Sequence, residues 1–251
     1  MLSREAGELM RTEFVSDNAK RRRWKGDNTP VTEVELRINY LAIAYIRQYF
    51  PGHNIQGEED SDMSEESEYL WVIDPVDGTL GYSHGIPTAV FSAAVIHKGN
   101  VLAGAVYDPF MDRFYYAEQG KGAYLNDNQI SVTPSHSLIH KVFGYGSGHG
   151  LYLDVGKLHN RAREADAKTI NIYSALYMGA LVASGDFAAA VYGGPNLYDA
   201  AAVKILVEEA GGKTSNLRGE EQSFGKPIYG LIATNGPVHD QVVEIVRECL
   251  L

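Results

Sequence analysis

The run Leu70-Trp71-Val72-Ile73-Asp74-Pro75-Val76-Asp77-Gly78-Thr79 constrains this chain more than any other segment. Its leading apolar residues read as a short buried strand. The strand ends in two carboxylates, followed at once by Gly-Thr. Two Asp side chains crowded at a strand end repel each other unless a cation or a proton lies between them. Oxygen-rich clusters of this kind suit Mg²⁺, which prefers carboxylates and water and leaves room for phosphate oxygens. The Gly78 and Thr79 amides can open a helix and hold an anion at its N-terminus. Cation on one side and anion on the other point to phosphate chemistry.

The segments around this run have their own patterns. Residues 2–15 read as a helix. A basic run, Arg21-Arg22-Arg23-Trp24-Lys25, leads into the turn-forming Gly26-Asp27-Asn28-Thr29-Pro30. Thr32-Glu33-Val34-Glu35 reads as a capping box. The helix behind it is expected to bury Val34, Ile38, Leu41, Ala42, Tyr45, Ile46 and Tyr49 and to end at Phe50-Pro51-Gly52. An acidic stretch from Gly57 through Glu68 reads as a surface loop apart from its first residues. Strand patterns follow at 88–96, 101–107 and 113–118, with a turn at His97-Lys98-Gly99-Asn100. This half reads as helices packed on an antiparallel sheet. Beyond about residue 130, strand-like runs (141–145, 186–192, 228–234) alternate with helical ones (174–184, 200–210, 237–250), the pattern of an α/β layer. No Pro/Ser-rich linker separates the halves. The expectation is one compact molecule of two subdomains, 1–130 (α+β) and 131–251 (α/β), with a cleft between them.

The 251 residues carry a net charge of −10, which disfavours a nucleic-acid backbone as partner but leaves small phosphorylated substrates open where cations are bound locally. The single cysteine, Cys249, cannot form an internal disulfide, which fits a reducing cytoplasm. No apolar run reaches membrane-spanning length, and the charged Arg4, Glu5 and Glu8 leave no signal-peptide pattern.

Gly57-Glu58-Glu59, Trp71 through Thr79, and Asn196-Leu197-Tyr198-Asp199-Ala200-Ala201-Ala202 resemble, in order, the three signature segments of the inositol monophosphatase superfamily, Mg²⁺-dependent and lithium-sensitive phosphomonoesterases. Ser83-His84-Gly85-Ile86-Pro87 and Glu208-Glu209-Ala210-Gly211-Gly212 are similar to further family segments. The resemblance runs from about Ala6 to the C-terminus. It implies a layered αβαβα sandwich of the sugar-phosphatase type with the metal site between subdomains, and a homodimer.

Carried over, the resemblance gives Glu58, Asp74 and the Val76 carbonyl to a first Mg²⁺, and Asp74, Asp77 and Asp199 to a second. A third, weaker ion would rest on Glu58. Thr79, with Glu35 as its acidic partner, would orient and deprotonate the attacking water. The amides of Gly78 and Thr79 would hold phosphate oxygens, and Lys25 matches a family lysine near the site. Phosphoryl transfer needs such a set because it is mostly positioning and charge neutralisation. Two metals roughly 4 Å apart clamp attacking and leaving oxygens. Water attack is therefore expected rather than a phosphoenzyme.

Each residue also has a plainer reading. Asp199 is placed to N-cap the helix that follows, Glu35 to complete the capping box; Glu58 is one acid among several, and Lys25 belongs to a basic run. On the substrate side the sequence departs from the family. Tyr192 stands where inositol-specific members carry a glutamate for the ring hydroxyls. Tyr173-Ser174-Ala175 replaces Gly-Ser/Thr-Ala, so that Tyr173 would crowd the substrate beside Ser174. Tyr198 replaces a tryptophan. Candidate substrates are inositol 1-phosphate and related sugar or polyol phosphates, with fructose 1,6-bisphosphate, 3′-phosphoadenosine 5′-phosphate, NADP and histidinol phosphate as alternatives.

Three rivals have less support. A haloacid-dehalogenase-type phosphatase needs Asp-x-Asp-Gly-Thr, one residue shorter than the spacing here. A calcium loop starting at Asp74 would have Val76 at position 3 and Gly85 at position 12. A catalytically inactive metal- or ligand-binding protein is hard to reconcile with the full acidic set.

Overall fold

The computed structural model of the protein describes every residue except 17–20, 27–28, 64–65, 147–150 and 226. Helix α1 (Leu2–Val15) precedes a short antiparallel hairpin of β1 (Arg22–Trp24) and β2 (Pro30–Thr32). The turn predicted at Asp27-Asn28 lies outside the described residues.

Helix α2 (Glu33–Tyr49) starts at the predicted capping box, with the Thr32 amide donating to the Glu35 carboxylate. Val34, Ile38, Ala42 and Ile46 form its buried stripe, whereas Leu41 and Tyr45 are half-buried. Tyr49 is exposed, contrary to the periodicity. It lies on the helix flank and packs against Tyr45, with ring centroids 4.7 Å apart, an i,i+4 contact in place of a core one.

The large sheet is built from β3 (Asn54–Gly57), β4 (Ser61–Asp62), β5 (Tyr69–Asp77), β6 (Val90–His97), β7 (Asn100–Asp108), β8 (Arg113–Glu118), β9 (Ala123–Leu125) and β10 (Asn128–Gln129), with the short helix α3 (Thr79–Ser83) following β5. Its order is β10-β9-β8-β7-β6-β5-β3-β4. Every pairing is antiparallel except β3 with β5. The acidic stretch is thus less of a loop than its charge suggests. Ser61 and Asp62 pair back onto β3, and Asp62 Oδ2 accepts from Arg47 Nε at 2.5 Å.

The second sheet contains β11 (Val142–Tyr145), β12 (Lys168–Ile170), β13 (Ala189–Tyr192), β14 (Lys213–Ser215) and β15 (Leu231–Thr234), with α4 (Val155–Glu164), α5 (Ala175–Ala183), α6 (Ala201–Glu209) and α7 (His239–Arg247). Its order is β12-β11-β13-β15-β14, parallel across the first three strands and antiparallel across the rest.

The elements stack in five layers: α1 and α2, the large sheet, α5 and α6, the second sheet, then α4 and α7. Side-chain alternation along β5 serves two of the three cores. Ile73 joins Ile38, Ile46 and Phe91 on the α1/α2 side; Val72 joins Leu176, Val203 and Leu206 on the α5/α6 side. The third core packs Phe143, Val191 and Ile232 against Leu158, Val242 and Val246. Cys249 is buried at that core, its thiol donating to the Ile245 carbonyl. Among the described residues no helix is long and apolar enough to cross a membrane.

Candidate active site

Asp74 and Asp77 belong to one strand but are an odd number of residues apart, which on a regular strand puts them on opposite faces. The pairing of β5 with β6 shifts register between these two residues, around Pro75, which has no amide hydrogen for a ladder. The irregularity lets both carboxylates converge with Asp199 from the loop before α6. Ligand atoms of Asp74, Asp77 and Asp199 all lie within 4.8 Å of one another.

Each of the three is anchored differently. Asp74 Oδ1 accepts from the Val76 amide at 3.1 Å. Asp77 reaches across to the start of α5, where Oδ2 accepts from the Ser174 hydroxyl (2.6 Å) and the Leu176 amide (2.7 Å), and Oδ1 from the Ala175 amide (3.3 Å). A large-sheet carboxylate therefore caps a middle-layer helix, whose free amides favour negative charge. Asp199 Oδ2 accepts from the Tyr192 hydroxyl and from Asn196 Nδ2, the latter at 3.0 Å. Its side chain does not cap α6, whose N-cap residue is Ala200.

Glu58 follows β3, and its amide donates to the Ile73 carbonyl at 3.1 Å, extending the β3–β5 ladder. The preceding Gly57 is required: an added Cβ would lie 2.2 Å from Asn39 Oδ1 and 2.5 Å from the Asp60 carbonyl oxygen. Glu58 does not join the three aspartates in their 4.8 Å cluster. It pairs with Lys25 Nζ at 3.0 Å, and Lys25 also holds Glu59 at 2.6 Å. Burial pulls the Lys25 ammonium toward deprotonation, but the two glutamates outweigh it and hold the group protonated above its ordinary range.

Thr79 opens α3 behind Gly78, which has φ +100°, a conformation that favours glycine. The Thr79 hydroxyl is within hydrogen-bond distance of Glu35 Oε1 (2.5 Å) and of the Val76 carbonyl oxygen (3.1 Å). Glu35 is fully buried. Burial drives its pKa up to about 8, against the opposing pull of hydrogen bonds from Thr79 and Thr32.

Burial also raises Asp77 to about 6 despite its three donors, and Asp199 to about 7, with Glu58 and Asp77 adding repulsion. Asp74 is pushed well up, by burial first and then by the charges of Glu58, Asp77 and Asp199. Crowded, buried carboxylates whose charged forms are disfavoured are a hard-oxygen donor set, and a divalent cation such as Mg²⁺ relieves that repulsion. The residues present therefore fit the ion.

A cleft of about 540 Å³ opens over this cluster. Glu58, Asp74, Val76, Asp77, Gly78, Thr79 and Asp199 line it, together with Trp24, Leu151, Tyr173, Tyr192 and Tyr198. Of the substrate-side candidates, Tyr173 is 49% exposed at φ 59°, a strained conformation for a tyrosine. Ser174 is fully buried behind Asp77 and does not line the cleft. The donors on Asp77 and Asp199 were not visible in the sequence; the only signal was that Ser174 and Tyr192 fell beside family substrate positions. His136 and His140 are both exposed, away from the cleft lining.

The model of the inositol monophosphatase family matches residues 1–251. The Thermotoga maritima protein named fructose-1,6-bisphosphatase/inositol-1-monophosphatase is 34% identical over 98% of this chain and 93% of its own. The Pseudomonas aeruginosa protein named Nus factor SuhB is 32% identical over 89% of this chain and 86% of its own. The solved structure of a Thermotoga maritima IMPase superposes with a TM-score of 0.86 at 32% identity, covering 98% of this chain and 94% of that one. The chain belongs to the inositol monophosphatase family, and is with it a phosphomonoesterase.

Proposed function

We propose that the protein hydrolyses a small phosphate monoester, inositol 1-phosphate or a related sugar or polyol phosphate, by Mg²⁺-dependent attack of water. The observation that carries this reading is the convergence of Asp74, Asp77 and Asp199 beside the Glu35–Thr79 pair in one cleft. Asp74, Asp77 and Asp199 would hold one ion, and Asp74, Glu58 and the Val76 carbonyl a second, with Glu58 also serving a weaker third. Bound there, Mg²⁺ supplies charge neutralisation for phosphate oxygens and a lowered pKa for the attacking water.

The chain's own residues do the rest. The Thr79 hydroxyl, tied to Glu35, orients the water. Glu35, which burial raises to about 8, accepts the proton through that hydrogen bond when ionised. The Gly78 and Thr79 amides receive phosphate oxygens. Lys25 keeps Glu58 and Glu59 in place at the cleft edge. Tyr173 flanks the leaving group, and Tyr192 stands at the position of the carboxylate that marks inositol-specific members. The reading also includes inhibition by Li⁺, a homodimer and a cytoplasmic location.

Two alternatives have support in the names of relatives. The Thermotoga maritima name pairs fructose-1,6-bisphosphatase with the inositol activity, which brings fructose 1,6-bisphosphate forward as substrate, ahead of 3′-phosphoadenosine 5′-phosphate and NADP. The SuhB names favour a second class, an interaction protein that has kept its metal site. Phosphate release from inositol 1-phosphate, fructose 1,6-bisphosphate, 3′-phosphoadenosine 5′-phosphate, NADP and histidinol phosphate, with and without Mg²⁺, separates them. One preferred ester with Mg²⁺-dependent release supports the enzyme; Mg²⁺ binding without release from any favours the interaction protein.

A further inference from the structure

Tyr192 ends β13 and Asp199 precedes α6, so the chain between them makes a tight loop that brings the phenol back onto the carboxylate. The Tyr192 hydroxyl and Asn196 Nδ2 both donate to Asp199 Oδ2. Neither donates to Oδ1. Two donors on one oxygen fix the rotation of the carboxylate and leave its other oxygen for the cluster with Asp74 and Asp77.

The phenol is itself held. Its ring packs against the core between α5, α6 and the second sheet. At Gly194 the loop passes so close that an added Cβ would lie 2.3 Å from the Tyr192 hydroxyl oxygen. A phenol has one hydrogen to donate, and here it goes to Asp199. That leaves none for the hydroxyls of a sugar or polyol.

We propose that Tyr192 is a positioning residue for the cation, acting through Asp199, rather than a residue that binds the substrate. This rests on the phosphatase reading of the site. Hydrogen-bond donors that orient a metal-ligating side chain typically contribute about 10–100-fold to metal affinity. The same hydroxyl placed on a substrate would instead appear in KM.

The test is direct Mg²⁺ binding by titration calorimetry on the purified full chain, for wild type, Tyr192→Phe and Gly194→Ala, alongside KM for the preferred ester at saturating Mg²⁺. Tyr192→Phe removes only the hydroxyl; Gly194→Ala keeps it but displaces it. Both are expected to weaken Mg²⁺ binding by about 10-fold, with KM at saturating Mg²⁺ unchanged. Circular dichroism in EDTA confirms folding, and if one variant fails to fold the other carries the test. Unchanged Mg²⁺ affinity, with KM raised or not, overturns the proposal. Wild-type protein that binds Mg²⁺ yet releases no phosphate overturns the phosphatase reading alone, because the binding comparison needs no turnover.

Discussion

Glu35 connects two elements through its two oxygens: Oε1 lies 2.5 Å from the Thr79 hydroxyl oxygen at the start of α3, and Oε2 accepts from the Thr32 hydroxyl at 2.8 Å at the start of α2. The capping and catalytic readings of this residue are therefore compatible. The capping oxygen fixes the carboxylate, and the other faces the threonine at the cleft. Glu35→Gln keeps the shape and removes the base. The expected result is a fall in kcat of about 10²-fold or more with folding retained, read by steady-state kinetics beside circular dichroism. A kcat within a few-fold of wild type would remove Glu35 from the chemistry.

Asp199→Asn and Asp77→Asn both take a charge from the cluster, but their structural costs differ. Asp199 accepts from two side chains through one oxygen, which an amide oxygen can also do. Asp77 uses both oxygens on Ser174, Ala175 and Leu176, so an amide there leaves donors of α5 unmet. Both variants are expected to lose most turnover and Mg²⁺ binding. Only Asp77→Asn should also melt lower than wild type in EDTA.

The raised carboxyls make stability depend on pH when metal is absent. A carboxyl whose folded pKa lies above its unfolded value favours the fold while protonated, and that contribution is lost as pH rises through the folded pKa. With Asp199 near 7, Glu35 near 8 and Asp74 well above its ordinary value, the loss begins above the unfolded carboxyl range, about 4, and runs through the folded values near 7 and 8. His239, held near 4 by burial, adds stability as pH rises toward the ordinary histidine value of about 6.5, so it opposes the trend in the lower part of the window and little above neutrality. In EDTA the melting temperature should therefore be higher at pH 6.5 than at pH 8.5, and added Mg²⁺ should raise it more at pH 8.5. Calorimetric melts at the two pH values check both signs.

Gly57→Ala should act on both fold and site. The new methyl meets Asn39 Oδ1 and the Asp60 carbonyl, a backbone atom that cannot yield without moving the Glu58 loop. Overpacking of this kind costs about 1–3 kcal/mol, a drop of several degrees in melting temperature for a chain this size. Weaker Mg²⁺ binding should accompany it, because Glu58 is the next residue.

Much of this was legible in the sequence. The strand–Asp–Gly–Thr run located β5 and the start of α3, because apolar continuity and glycine are local signals; the register shift between Asp74 and Asp77 appears only in the structure. The capping box placed the start of α2. The polar helix α4, which buries only Leu158 and Ala162, left no such mark, nor did the three-residue strands β12 and β14. At the site, the aspartates were legible as a charge problem, but their protein partners were not. Ser174 meets Asp77 across a long stretch of chain, and the pairing of Lys25 with Glu58 joins a basic run to an acidic one. Such contacts are fixed by the stacking of layers, which no local pattern encodes.

The most direct measurement is phosphate release by wild type and Asp199→Asn from the preferred ester, in EDTA and across a Mg²⁺ titration. Release by wild type that requires Mg²⁺ and is largely abolished in Asp199→Asn is the expected result. Equal release in EDTA, or an Asp199→Asn variant as active as wild type at the same Mg²⁺, would contradict a reaction built on the three converging aspartates.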